Sequence, residues 1–281
     1  MTVEELQSGI IIPIDKPRQW TSFQVVNKIK SLLRNRFELK KIKIGHAGTL
    51  DPLASGLLLV CIGKATKQIE QIQNGDKEYT GTIAIGATTP CYDLEQPIDA
   101  YYDTSHITME MIQDKCKTFV GDIEQTPPLF SAIKIDGQRA YQYARNDMQE
   151  VCVRSKMVHV EKFNVHNLRI SNEELDNPVN IISTHVSKNT PGLYKSPQGK
   201  IPNGLILIDF AVECGKGTYI RSIARDLGRS LNNGAFLASL QRTRIGEYTL
   251  SQSYTLDQVD NLLQNNTLTN TNKKSTATNP S

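Results

Sequence analysis

The stretch "GHAGTLDPLASGLLLVCIGKATK", residues 45–67, sets an aspartate between two clusters of small residues, with an unbroken apolar run from Leu57 to Ile62 behind it. A short apolar run bounded by glycines reads as a buried strand. That leaves "GHAGTLDP" unexplained. Glycine-rich segments invite a phosphate loop, but Gly45, Gly48 and Gly56 fit neither GxGxxG nor GxxxxGK[ST], so no nucleotide cofactor is expected. Asp51 has two readings. It closes an Asx turn ahead of Pro52, or it is a carboxylate displayed where small neighbours let a substrate backbone come close. Spacing alone leaves both open.

Working outward, "IIPIDKP" (11–17) reads as a strand ended by a turn, and "TSFQVVNKIKSLLRNRF" as an amphipathic helix with Thr21 and Gln24 in a capping box. "KEYTGTIAIGATT" (77–89) and "LILIDFAVECG" (205–215) read as strands, and residues 107–120 as a helix. "KIDGQ" suggests a hairpin turn, followed by a helix around Tyr141–Arg145. "GTYIRSIARDLGRSL" reads as a helix with Thr218 near its cap. Residues 171–204, rich in Asn, Ser, Pro, Gly and Lys, read as a surface insertion. From about Asn261 the Asn/Thr/Ser-rich chain reads as a disordered tail. The irregular alternation of strands and helices predicts an α+β fold with a mixed, largely antiparallel sheet. One catalytic domain is expected over residues 1–255, with a short C-terminal segment and polar tail over 256–281.

Composition narrows the function classes. No stretch approaches the roughly 20 apolar residues of a membrane span. "MTVEELQSG" carries no signal-peptide core, so a cytoplasmic protein is expected. The cysteines, Cys61, Cys91, Cys116, Cys152 and Cys214, are odd in number and form no CxxC, which argues against disulfides and zinc. The histidines show no metal-ligand spacing, and no metal is expected. Residues 1–50 and 215–246 each carry a net charge of +5, while 71–126 lean acidic. This split suggests a basic face that a polyanion could use, or an ordinary mixed surface.

Several blocks occur in one order: "DKP…TSF", "GHAGTLDPLASGLL…GKATK", "KEYTGTIAIGATT", "PPLFSAIKIDGQRAY…AR", "GKGTYIRSIARDLG" and "LQRTRIG". Together, over about residues 10–250, they resemble the TruB family of tRNA pseudouridine synthases. The resemblance implies the pseudouridine synthase fold and a cofactor-free reaction. A uridine in the T-arm of tRNA, at position 55, is flipped out, its N1–C1′ bond is broken, and C5 is joined to C1′. It places the catalytic nucleophile on Asp51, with the small residues Gly45, Ala47 and Gly48 admitting RNA. It implies that Tyr79 stacks on the target base, that Tyr219 is a second pocket tyrosine, and that Arg221 pairs with the catalytic carboxylate. Leu240 would line the uracil pocket, His46 would enter the T-loop, and Lys16 would make a phosphate or sheet contact. Each has a plainer reading. Without the resemblance, Tyr79 fits a core tyrosine at a strand start better than a base-stacking one, Tyr219 and Leu240 fit a core equally well, His46 fits a satisfied polar residue, and Arg221 a solvated helix face shared with Arg225 and Arg229.

Two departures stand out. Where many relatives have an aspartate-containing stretch at the end of the third block, this chain reads "TTPCYDLEQ", with Pro90 and Tyr92, and the PUA-like domain that ends many of them is expected to be absent. The partner implied is tRNA. No membrane and no obligate protein partner are expected, and the protein is expected to be a monomer. The rivals are a non-catalytic tRNA-binding module on the same fold, and a guide-dependent synthase like those that work in ribonucleoproteins.

Overall fold

The computed structural model describes residues 2–131, 134–135, 138–139, 153–172 and 204–264. In chain order the first elements are α1 (Val3–Ser8), β1 (Ile10–Lys16), α2 (Ser22–Phe37), β2 (Ile44–Ala47), β3 (Ser55–Ile62), α3 (Ile69–Asn74), β4 (Lys77–Ile85), β5 (Ala87–Thr88) and β6 (Ala100–Tyr101). There follow α4 (Met109–Lys117), β7 (Gly121–Gln125), β8 (Lys134–Ile135), β9 (Gln138–Arg139), β10 (Lys156–Ile170) and β11 (Ile206–Cys214). Then come α5 (Ile220–Ser230), β12 (Ala235–Ile245), β13 (Tyr248–Thr249) and α6 (Leu256–Gln264). The chain divides into two compact units, one of residues 1–78 and 241–281, the other of residues 79–240.

In the first unit, β3 is central. It pairs antiparallel with β1, from Ile10 opposite Ile62 to Lys16 opposite Gly56, and antiparallel with β2. It meets the end of β12 in parallel at Ser55–Gln241 and Gly56–Arg242. Strand periodicity explains the apolar run. Leu58, Val60 and Ile62 face a core with Ile10, Ile12, Ile14, Val25 and Ile29, whereas Leu57, Leu59 and Cys61 face another with Ile11, Ala47 and Ile245. A strand covered on both faces needs no polar alternation. The predicted capping box of α2 is present: Thr21 Oγ1 accepts from Gln24 N at 3.1 Å, and Gln24 Oε1 accepts from Thr21 N at 2.8 Å.

In the second unit the strand order is β12-β4-β11-β10-β7, with β10 antiparallel to both neighbours. Phe163 packs edge-on against Phe119 and Phe210, with ring centroids 6.1 and 6.2 Å apart. Helix α5 buries Ile220, Ile223, Ala224 and Leu227. The sheet is mixed and largely antiparallel, as expected, and the class is α+β.

Thr218 stands next to the cap of α5, which is Tyr219, and its Oγ1 donates to Gly215 O at 3.1 Å. One local expectation is corrected: the chain is still helical past Asn261. Leu263 is buried at the end of α6, and Arg36 Nε donates to its carbonyl at 3.1 Å. The helix around Tyr141–Arg145, nearly all of the 171–204 insertion and residues beyond Gln264 lie outside the described residues. The hairpin is present as Lys134–Ile135 paired with Gln138–Arg139.

Candidate functional site

In the first unit, residues 48–54 connect β2 to β3. Asp51 O accepts from Ala54 N at 3.1 Å. Residues 51–54 therefore form a β-turn closed by backbone, with Pro52 at the position proline favours. The turn is held from beneath by groups distant in sequence. Ser22 Oγ accepts from Leu50 N at 2.9 Å and donates to Leu50 O at 3.1 Å. Pro52 O accepts from Gln19 N at 2.7 Å, and Gln19 adopts φ 68° at that point. Arg242 donates to Gly48 O, Thr49 O and Leu57 O. Asp51 itself is half-buried.

Lys16 stands under this turn, fully buried. Its Nζ donates to Trp20 O at 2.6 Å, Pro17 O at 2.9 Å and Pro52 O at 3.4 Å. Of the two contacts expected for Lys16, phosphate or sheet, these are of the internal kind: a lysine with no surface exposure and carbonyl acceptors around its ammonium anchors main chain. Burial pushes its pKa down to about 7, with the Arg242 cation adding to the fall and the Asp51 and Asp15 carboxylates opposing it.

The small residues also serve the fold. A Cβ on Gly45 would stand 3.0 Å from Ile69 Cδ1, Ala47 is buried, and Gly48 has φ 89°. Internal packing and backbone conformation account for "GHAG". His46 is half-buried between them, and its Nδ1 is buried without a hydrogen-bond partner. Burial, and then the Arg242 cation, hold its pKa below the ordinary histidine value, which favours the neutral ring.

In the second unit, Arg221 lies on α5 with 4% exposure. Nη1 donates to Cys91 O at 3.1 Å and Nη2 to Phe130 O at 2.8 Å, while Nε is 3.7 Å from Asp93 Oδ2. Asp93 is the residue the sequence reading missed, since "CYDLEQ" looks like an ordinary polar loop. Its Oδ1 accepts from Glu95 N at 2.9 Å and contacts Cys91 Sγ at 3.0 Å. Tyr219, half-buried, is bracketed by the Gln125 side chain. Gln125 Oε1 accepts from Tyr219 N at 2.7 Å, and its Nε2 donates to Tyr219 O at 3.2 Å. Lys156 Nζ sits 4.9 Å from the centre of the Tyr219 ring. Tyr79 is buried at the start of this unit's part of β4, and Leu240 is half-buried at the end of its part of β12.

The solvated-face reading of Arg221 fails, and with it much of the basic face expected over 215–246. Arg221, Arg225 and Arg242 are each at most 8% exposed. Arg225 is paired with Asp226 at 2.7 Å. Among the described residues no group of His, Cys, Asp and Glu is placed to hold a metal ion, and no helix is long and apolar enough to cross a membrane.

Residues 34–191 match the model of the TruB family pseudouridylate synthase N-terminal domain, and residues 221–274 match the tRNA pseudouridylate synthase B C-terminal domain. The segment beyond "RIGEY" is thus part of a recognised C-terminal region of the family. The chain is 43% identical over 259 residues to tRNA pseudouridine synthase B of Parabacteroides distasonis, covering 92% of this chain and 95% of that one. It is 43% identical over 265 residues to the protein of the same name from Flavobacterium johnsoniae, covering 94% and 100%. Among solved structures it resembles a chain titled as part of a Cbf5-Nop10-Gar1 complex, at TM-score 0.59 and 25% identity. That likeness covers 95% of this chain and 58% of the other.

Proposed function

Since this chain belongs to the TruB family and is a tRNA pseudouridine synthase, we propose that it acts on uridine 55 of the T-arm, with Asp51 as the nucleophile. The reaction is an isomerisation. The N1–C1′ bond breaks, the uracil turns, C5 bonds to C1′, and the proton lost from C5 is balanced by one gained at N1. No oxidant or reductant enters. Such a rearrangement needs an anion that attacks the sugar or base, and a carboxylate serves.

The observation that carries the reading is the support beneath Asp51. Gly48 O, Thr49 O, Leu50 N and O, Asp51 O and Pro52 O are all satisfied from within the first unit. A turn fixed in this way presents its carboxylate without reorganisation, which is what covalent catalysis requires. His46, half-buried beside the Asp51 connection, is assigned to the T-loop, as the family resemblance implies. As the family resemblance implies, Tyr79, Tyr219 and Leu240 are assigned to the target base and Arg221 to the catalytic carboxylate. Lys16 acts on the Asp51 turn from below rather than on RNA.

The test is pseudouridine mapping on a uridine-containing T-arm hairpin with purified wild type and Asp51→Asn. Wild type should convert position 55 without other proteins, and Asp51→Asn should bind RNA with background turnover. Substantial turnover by Asp51→Asn would end the nucleophile assignment. Turnover only with a guide RNA or added proteins would move the protein toward the kind of assembly named for its structural neighbour.

A further inference from the structure

We infer that Arg242 is a positioning residue for the reaction, a buried clamp that sets the geometry of the Asp51 turn. The inference rests on Asp51 being the nucleophile. Arg242 lies on β12 with 1% exposure and is among the largest fully buried side chains of the protein. Its three nitrogens each reach a main-chain carbonyl: Nε to Leu57 O at 2.8 Å, Nη2 to Gly48 O at 3.1 Å and Nη1 to Thr49 O at 3.5 Å. Gly48 and Thr49 precede Asp51, and Leu57 follows it on β3. One planar group therefore ties both limbs of the connection that carries the carboxylate. The guanidinium is suited to this because its donors diverge in a fixed plane. A lysine ammonium has the charge but not the fork.

The backbone that delivers the guanidinium is itself fixed against β3. Arg242 lies opposite Gly56 where the two strands run parallel. Gly56 has φ 98°, and a Cβ there would stand 2.4 Å from Arg242 O and 2.9 Å from Arg242 N. Only glycine allows this approach, so the arginine main chain sits against the strand whose start it also grips by side chain. Loss of the guanidinium would remove all three donations, of which the one to Leu57 O is buried and those to Gly48 O and Thr49 O are part-buried. An apolar side chain of the same volume would fill the space without making any of them. Arg242 thus differs from a core residue in what it does for the turn. It selects one arrangement of the backbone on both sides of Asp51.

A purely structural role and a positioning role predict different kinetics. The experiment compares wild type, Arg242→Lys, Arg242→Gln and a control, Leu33→Ala, which opens the α2 core of the same unit at a fully buried position. All are assayed on the T-arm hairpin below their melting temperatures, with circular dichroism confirming the fold. Displacing a catalytic group by about 1 Å costs on the order of 100-fold in rate. Arg242→Lys should therefore lower kcat at saturating RNA by about 10- to 100-fold, with the RNA Kd within a few-fold of wild type. Leu33→Ala should lose thermal stability while kcat stays near wild type. If kcat of the folded Arg242 variants matched that of Leu33→Ala, the positioning assignment would be overturned. It would equally be overturned if both Arg242 variants failed to fold while the control folded, since the residue would then serve folding alone. Asp51→Asn in the same series separates the premise from the inference. If it retained turnover, the nucleophile reading would fail whatever Arg242 does.

Discussion

Arg221 and Asp93 form a buried ion pair: Nε stands 3.7 Å from Oδ2, with the side chains 4% and 7% exposed. The carboxylate is oriented at its other oxygen by Glu95 N, and the guanidinium is tethered to the carbonyls of Cys91 and Phe130. Removing one partner from such a pair leaves the other buried charge less well compensated, which costs up to about 3–5 kcal/mol. Asp93→Ala should therefore destabilise strongly, whereas Asp93→Ala combined with Arg221→Met should be less destabilised than the sum of the single changes. Urea unfolding of the four proteins gives the coupling energy directly. Additive effects would show that the pair is not coupled in stability.

Ser22 offers a smaller test of the same principle of backbone satisfaction. Its hydroxyl closes both main-chain groups of Leu50, a buried residue next to the Asp51 turn. Ser22→Ala leaves a buried N–H and a buried C=O unmet, at an expected cost of about 1–3 kcal/mol. Ser22→Cys, with a weaker donor and acceptor in the same place, should fall between. Denaturant midpoints with unchanged slopes would measure the effect, and an unaltered midpoint for Ser22→Ala would show that Leu50 finds other partners.

The elements were readable where the signal is local. The capping box at Thr21 and Gln24, the apolar run from Leu57 to Ile62 and the periodicity of 220–231 depend on near neighbours, and each became the expected element. What could not be read was the inward use of charge. Lys16, Arg221 and Arg242 look like solvated cations in a list of residues. They are buried because carbonyls from elsewhere in the chain gather around them: Trp20 and Pro52 for Lys16, Cys91 and Phe130 for Arg221, Gly48, Thr49 and Leu57 for Arg242. A main-chain carbonyl has no sequence signature, so no spacing rule marks such a partner. Asp93 escaped for the same reason. Its meaning lies with Arg221, far along the chain, not in "CYDLEQ". The Asp51 block was distinctive as a pattern, but the reason for its glycines was visible only once Ile69 and Arg242 were placed beside them.

The end of α6 sets where the chain can be shortened. Val259 and Leu263 are buried against α2 and β1, and Leu263 O accepts from Arg36. Residues 265–281 are almost devoid of large apolar side chains. A chain ending at Gln264 should keep its melting temperature and turnover. One ending at Asp260 loses Leu262 and Leu263, and burying a leucine is worth roughly 1.5–3 kcal/mol, so its melting temperature should fall by several degrees. Equal losses in both would mean that residues beyond Gln264 contribute to the fold or to RNA binding.

Lys16 gives stability a pH dependence whose sign can be worked out. Its pKa in the folded protein is pushed down to about 7, chiefly by burial, from the ordinary lysine value of 10.5 that holds in the unfolded chain. Between those two values the unfolded chain holds the proton more tightly, so unfolding takes up protons and stability rises with pH. The burden of the buried ammonium is fully present below pH about 7 and is relieved as pH rises toward 10.5. The carbonyls of Trp20, Pro17 and Pro52 work against this by favouring the charged form, so the slope measures which influence wins. One full proton corresponds to about 1.4 kcal/mol per pH unit. Lys16→Met fills much of the same volume and has no proton to exchange. The stability of wild type minus that of Lys16→Met should therefore increase between pH 7 and pH 9 by an amount on the order of 1 kcal/mol or more. Urea unfolding of both proteins at several pH values measures that difference, and because other titrating groups are common to both, they cancel. A difference that stays flat over this range would mean that Lys16 remains fully protonated, and that its carbonyl cage outweighs the loss of water.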